Sequence, residues 1–191
     1  KVASIAKKSS SDYHIYASPS YDDKKNPLKY KDKLSFLRKM FPRHSRAFKE
    51  DESIRSVVHA AAELTRGGYT KLTLVVGSDR VKTFKKLFDS YNGVGKGSNT
   101  FNFVDGVDVV SAGKRGPDSD GVSGMSASKM RKAAAEDDYP TFKKGLTKAY
   151  KEGSKLFAAV RTGMGITGKS SSTREHIDMQ PDQIREDYIT E

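Results

Sequence analysis

The run Lys71-Leu72-Thr73-Leu74-Val75-Val76 limits the folds open to this chain more than any other stretch. Its apolar finish predicts a strand buried on both faces, as in the middle of a parallel α/β sheet. A helix-patterned segment stands on each side of it. Upstream, Ile54, Val57, Val58, Ala61 and Leu64 recur at helical spacing over residues 52–66, and Gly67-Gly68 supplies the stop. Downstream, Gly77-Ser78-Asp79-Arg80 leads into an amphipathic segment with Val81, Phe84, Leu87, Phe88 and Tyr91 on its inner face.

The alternation extends in both directions. Tyr13-His14-Ile15-Tyr16-Ala17 reads as a short strand ending in a polar, basic loop from Ser18 to Leu28. A helix follows over 31–41, its stripe marked by Leu34, Leu37 and Phe41, and Pro42 closes it. Residues 101–104 and 107–111 predict two short strands, or one broken at Asp105-Gly106. Helices are expected over 126–136, 140–150 and 153–161, with a surface loop over 92–99 and a mobile loop over 112–122. The opening Lys1 to Lys8 reads as the end of a helix, so a natural start further upstream is expected. Strands alternating with helices imply right-handed crossovers and a parallel sheet, with ligands outside the carboxyl ends of the strands. Three polar clusters follow strands: Ser18 to Asn26, Gly77 to Arg80, and Ser126 to Arg131. They are expected at one edge.

Net charge narrows the partners. Of a formal +11 overall, residues 1–50 carry thirteen Lys/Arg against five Asp/Glu, while the last twenty residues carry two against six. A basic first portion suits a polyphosphate, a nucleic-acid backbone, or plain solubility. The absence of cysteine excludes disulfides, thiolate nucleophiles and cysteine-bound metals. No apolar run is long enough to span a bilayer, and no secretory signal pattern stands at the start. The polar, acidic stretch after Gly168 reads as a linker or partner-binding arm.

Met125-Ser126-Ala127-Ser128-Lys129-Met130-Arg131 carries the most chemistry. Ser126 is a natural N-cap. Lys129, Arg131 and Lys132 then sit in the first turns, with Glu136, Asp137 and Asp138 at the end, the reverse of what the helix dipole favours. That order makes sense with an anion at the helix start, held by N–H groups, hydroxyls and cations. A solvated basic turn explains it equally well.

The Ser-x-Ser-x-x-Arg pattern, with Met125 before the first Ser and Met130 before the Arg, resembles the ISSTxIR-type motif of the cytidylyltransferase-like nucleotidyltransferases, which include the nicotinamide-mononucleotide adenylyltransferases. The resemblance covers most of residues 1–165 and looks closest to members encoded by large tailed bacteriophages. It implies a Rossmann-like three-layer α/β domain with a parallel sheet over 1–165, followed by a separate tail over 166–191. The implied reaction transfers a nucleoside monophosphate from ATP or CTP, as the Mg²⁺ complex, to a phosphate-bearing acceptor, releasing pyrophosphate. The matching positions give Ser126, Ser128 and Arg131 to the β/γ-phosphates, supported by Ser18, Lys25 and Arg38, with Arg131 and Lys25 catalytic. Gly77 and Asp79 would meet the nucleoside, and no carboxylate cluster looks dedicated to the metal. Each has a plainer use: Asp79 as a helix cap, Lys24 and Lys25 as solvated charges, Arg38 as a surface residue.

The family's HxGH signature is absent. His14, His44, His59 and His176 are not in that pattern and read as packing or surface residues. The other class of reading is a non-catalytic phage protein that keeps the fold and binds nucleic acid or virion proteins through its basic portion. The resemblance places the protein in the cytoplasm of an infected host, or on the virion, with no membrane association.

Overall fold

The computed structural model describes residues 1–95, 97, 99–113 and 124–166. The chain mixes helices with two small parallel sheets, an α/β arrangement. In chain order it forms α1 (Val2–Lys8), β1 (Ile15–Tyr16), α2 (Tyr30–Met40), β2 (Phe48–Lys49), α3 (Val57–Arg66), β3 (Leu72–Val76), α4 (Val81–Tyr91), β4 (Val107–Ser111), α5 (Ala127–Ala135), α6 (Tyr139–Lys144) and α7 (Gly153–Gly163). Short 3₁₀ turns cover Pro42–Ala47 and Ser78–Arg80. Among the described residues no helix is long and apolar enough to cross a membrane.

β1 pairs with β2, Ile15 opposite Phe48, and β3 pairs with β4 from Leu72 opposite Val107 to Val76 opposite Ser111. Both pairs are parallel, as the crossover pattern requires. The prediction that β3 is buried on both faces fails: Leu72, Leu74, Val75 and Val76 are only half-buried and Thr73 is exposed. The reason is pairing. Among the described residues β3 has a strand on one edge alone, and of its apolar residues Leu72 and Leu74 pack against the cluster that holds Ala61 of α3 and Phe88 of α4.

Three apolar clusters hold the elements. Ala61, Phe88, Phe101 and Phe103 pack under β3 and β4. Ala17, Tyr30, Leu34 and Phe48 join α2 to β1 and β2. Ala133, Ala134, Phe142, Leu146, Leu156, Phe157 and Val160 form the core of α5–α7, with Phe36 and Met40 of α2 reaching into it. Burying each Phe contributes about 1.5–3 kcal/mol.

Several predicted boundaries move. The helix expected over 52–66 starts at Val57, because the Ser56 hydroxyl accepts from His59 N and an Asp51–Ser53 turn uses the preceding residues. The helix expected over 140–150 ends at Lys144, where Gly145 lies against Met130. Residues 101–104 are not a strand. The backbone of Phe103 bonds to the Asn92 side-chain amide instead, giving Asn92 Nδ2 to Phe103 O at 3.2 Å and Phe103 N to Asn92 Oδ1 at 2.8 Å. The loop expected over 112–122 lies outside the described residues apart from Ala112 and Gly113, as does the tail from 167 onward.

Candidate nucleotide site

The loop after β1 is built by one carboxylate. Asp22 accepts from Lys24 N at 3.0 Å, Lys25 N at 2.5 Å and Asn26 Nδ2 at 2.7 Å, and its own N–H donates to Asn26 O. The donors favour the charged form, led by Lys25 N, and hold the Asp22 carboxyl at about 2. Of Lys24 and Lys25 the clasp uses only the backbone N–H groups, and both residues are exposed. Upstream, Ser18 Oγ donates to Ser20 Oγ, and Lys33 of α2 donates to Ser18 O at 2.6 Å and Ser20 O at 3.1 Å. Burial lowers the Lys33 pKa, against the opposing pull of Asp22.

α5 supplies the second wall. Ser126 caps it, its hydroxyl accepting from Lys129 N at 3.1 Å. From the next turn Arg131 donates through Nη2 to Ser128 Oγ at 3.2 Å and through Nη1 to Lys25 O at 3.2 Å. Two clusters more than a hundred residues apart in sequence thus meet at one mouth. Behind it opens an apolar cavity of about 350 Å³, lined by Leu28, Phe36, Met40, Met130, Phe142 and Leu146, with Lys25, Lys33 and Arg131 also on its walls. The carboxyl end of α7 supports the loop: Gly163 lies so close to Pro27 O that a Cβ there would overlap it.

The acidic end of α5 has a local explanation. Asp138 caps α6 by accepting from Thr141 N at 2.9 Å, and Asp137, at a φ of 57°, faces the buried Arg161 at 3.2 Å. Arg161 also donates to Ala134 O at 2.6 Å. These carboxylates therefore serve the α5–α6 turn, and the reversed charge order by itself no longer argues for an anion.

No family model, curated protein or solved structure matches this chain. The site rests on its geometry.

The predicted residues divide accordingly. Lys25, Ser128 and Arg131 come together, with Ser126 at the start of the same helix and Ser18 tied in through Lys33. Arg38 is engaged elsewhere: it donates to Glu50 at 2.9 Å and to Phe48 O at 2.9 Å, fastening α2 to β2. Gly77 and Asp79 follow β3 as expected. The Asp79 carboxylate curls over Gly77, where a Cβ would lie 2.6 Å from its oxygen, and it does not cap α4. No hydrogen bond joins Asp79 to Lys25, Ser128 or Arg131. Among the described residues no three His, Asp or Glu side chains gather as metal ligands. Sequence reasoning missed Lys33 and the apolar cavity. The stripe of Phe36 and Met40 beside Leu37 was the available signal, and it reads equally well as ordinary core.

Proposed function

We propose that this chain binds a nucleoside triphosphate at the mouth between the Asp22 loop and the start of α5, as the phosphate-holding part of a nucleotidyltransferase. The observation that carries the reading is the Arg131–Lys25 junction. It holds the Arg131 guanidinium and the Ser128 hydroxyl beside a capped helix start and ties them to the backbone of the loop that carries the exposed Lys25 side chain, donors of the kind that hold polyphosphate. Arg131 and Lys25 would stabilise charge developing on the phosphates as pyrophosphate leaves, and positioning would supply most of the rate. The apolar cavity offers room for an uncharged ring beside the phosphates. Mg²⁺ would arrive with the nucleotide, carried by phosphate oxygens. The sequence resemblance keeps Gly77 and Asp79 for the nucleoside, while the histidine pair of the HxGH signature has no counterpart in this sequence.

The same proposal treats the two strand pairs as portions of one Rossmann-like three-layer sheet. Supporting it, His14 before β1 and Tyr69 before β3 have their rings 5.5 Å apart, so the amino ends of the two strands lie side by side. The test is calorimetric titration of ATP and CTP with Mg²⁺ into the chain and into Arg131→Ala. One nucleotide should bind, and the substitution should weaken it at least tenfold, about 1.4 kcal/mol. Absence of binding by both nucleotides, or an unchanged affinity in Arg131→Ala, would overturn the reading.

A further inference from the structure

A second, wider cavity of about 580 Å³ opens at the amino ends of β1 and β2, away from the mouth at α5. Its walls come from residues 11–14, the 3₁₀ turn Pro42–Ala47, Lys49 and Tyr69. Arg43, Arg46 and Lys49 line it, and none of their three side chains has a hydrogen bond or ion pair among the described residues. The one carboxylate on its wall, Asp12, already accepts from Tyr69 Oη at 3.3 Å. Three uncompensated cations in a concave surface concentrate positive potential there.

The rings on the wall are held in place. The hydroxyl of Tyr13 lies 2.7 Å from His44 Nδ1. If that hydroxyl donates, the neutral imidazole carries its proton on Nε2, which makes His44 a further donor. His14 is different: its two nitrogens lie 3.4 Å from the hydroxyls of Tyr16 and Tyr69. Burial first, and then the Lys49 charge, lower its pKa, so it stays neutral and serves as a strut between the tyrosines. The cavity therefore combines forked guanidinium donors, an ammonium, an imidazole ring and aromatic edges. Arg forks match phosphate oxygens, and cations interleaved with rings suit nucleic-acid strands.

We propose that this cavity is a second anion site, independent of the one at α5, and that it holds the phosphates of a single-stranded nucleic acid. The phosphate chemistry is shared by a strand and by a free nucleotide, and competition separates the two sources. The experiment is fluorescence anisotropy of a labelled oligouridylate with the wild-type chain, with Arg43→Ala/Arg46→Ala, and with the charge-matched Lys82→Ala/Lys86→Ala on α4. The first double variant should bind at least tenfold more weakly and the second within twofold of wild type. The salt slope should fall by about 1.4 for two lost phosphate contacts. Arg43→Lys/Arg46→Lys, which keeps the charge, should recover part of the loss and guards against misfolding. Displacement only by unlabelled oligonucleotide supports a strand, and equal displacement by uridine monophosphate supports a phosphate-ester site of single-nucleotide size. Equal weakening in both alanine double variants, or no binding at all, would overturn the proposal. ATP titration into Arg43→Ala/Arg46→Ala should match wild type, so failure at one site is distinguishable from failure at the other.

Discussion

Gly163→Ala sets two effects of opposite sign against each other. Helix propensity favours alanine by up to about 1 kcal/mol in a helix interior, and less here, since Gly163 is the last residue of α7. Steric overlap opposes it. The added Cβ would meet Pro27 O, a backbone atom that no rotamer change can move aside, with Pro27 Cβ at 3.1 Å on the other flank. Overpacking of this kind costs about 1–3 kcal/mol, and a backbone obstacle belongs at the upper end. The clash therefore wins by roughly 2 kcal/mol, which lowers the melting temperature by about 4–8 °C for a chain of this size. Differential scanning calorimetry, checked by urea unfolding, reads the change directly. Because Pro27 follows the Asp22 clasp, relief of the clash also displaces Lys25, so affinity for the proposed nucleotide, ATP or CTP, should fall along with stability. An unchanged or raised melting temperature would refute the packing of α7 against the loop.

Phe142→Ala should cost about 3–5 kcal/mol by chemical denaturation, since its ring is 1% exposed and lies edge-on to Phe157 at 5.1 Å. Arg38→Ala should leave affinity for the proposed nucleotide within twofold while lowering stability by about 1–2 kcal/mol, since it loses both the partly exposed pair with Glu50 and the hydrogen bond to Phe48 O; a tenfold loss of affinity would return Arg38 to the site. Asp22 gives the pH dependence. Its folded pKa of about 2 lies below the ordinary 3.8, so its contribution to stability is present above 3.8 and lost as pH falls from there towards 2. Asp22→Asn should flatten melting temperature against pH in that window, and an unchanged profile would show that the clasp does not form.

The helices were legible because their apolar residues recur at one spacing, and α2, α4, α5 and α7 begin or end within two residues of expectation. β2 was not. Phe48–Lys49 gains its extended form only from lying beside β1, and a pair of residues carries no period. Phe101 and Phe103 gave the opposite error: their alternation marks burial, yet the Asn92 amide occupies the place of a neighbouring strand. At the site, the serines and Arg131 were visible as a pattern and Lys25 as a charge. That the two clusters share one edge was expected from their places after strands; the contact itself, Arg131 Nη1 to Lys25 O, was not visible, since it depends on α5 packing against a loop formed over a hundred residues earlier. The cavity at the amino ends of β1 and β2 was still further from view. It draws on three separated segments, and each of them alone reads as a surface turn.

The Asp22 clasp has an entropic consequence. A phosphate-binding loop that is slack in the unliganded protein must be ordered by its ligand, at about 0.5–1.5 kcal/mol for each side chain immobilised. Here the backbone from Asp22 to Asn26 is already cross-tied by its own carboxylate, and Arg131 secures Lys25 O from the far side. That conformational cost is met when the chain folds. An incoming ligand would need to order only the exposed ends of Lys24 and Lys25, and its arrival should leave amide hydrogen exchange across the loop almost unchanged.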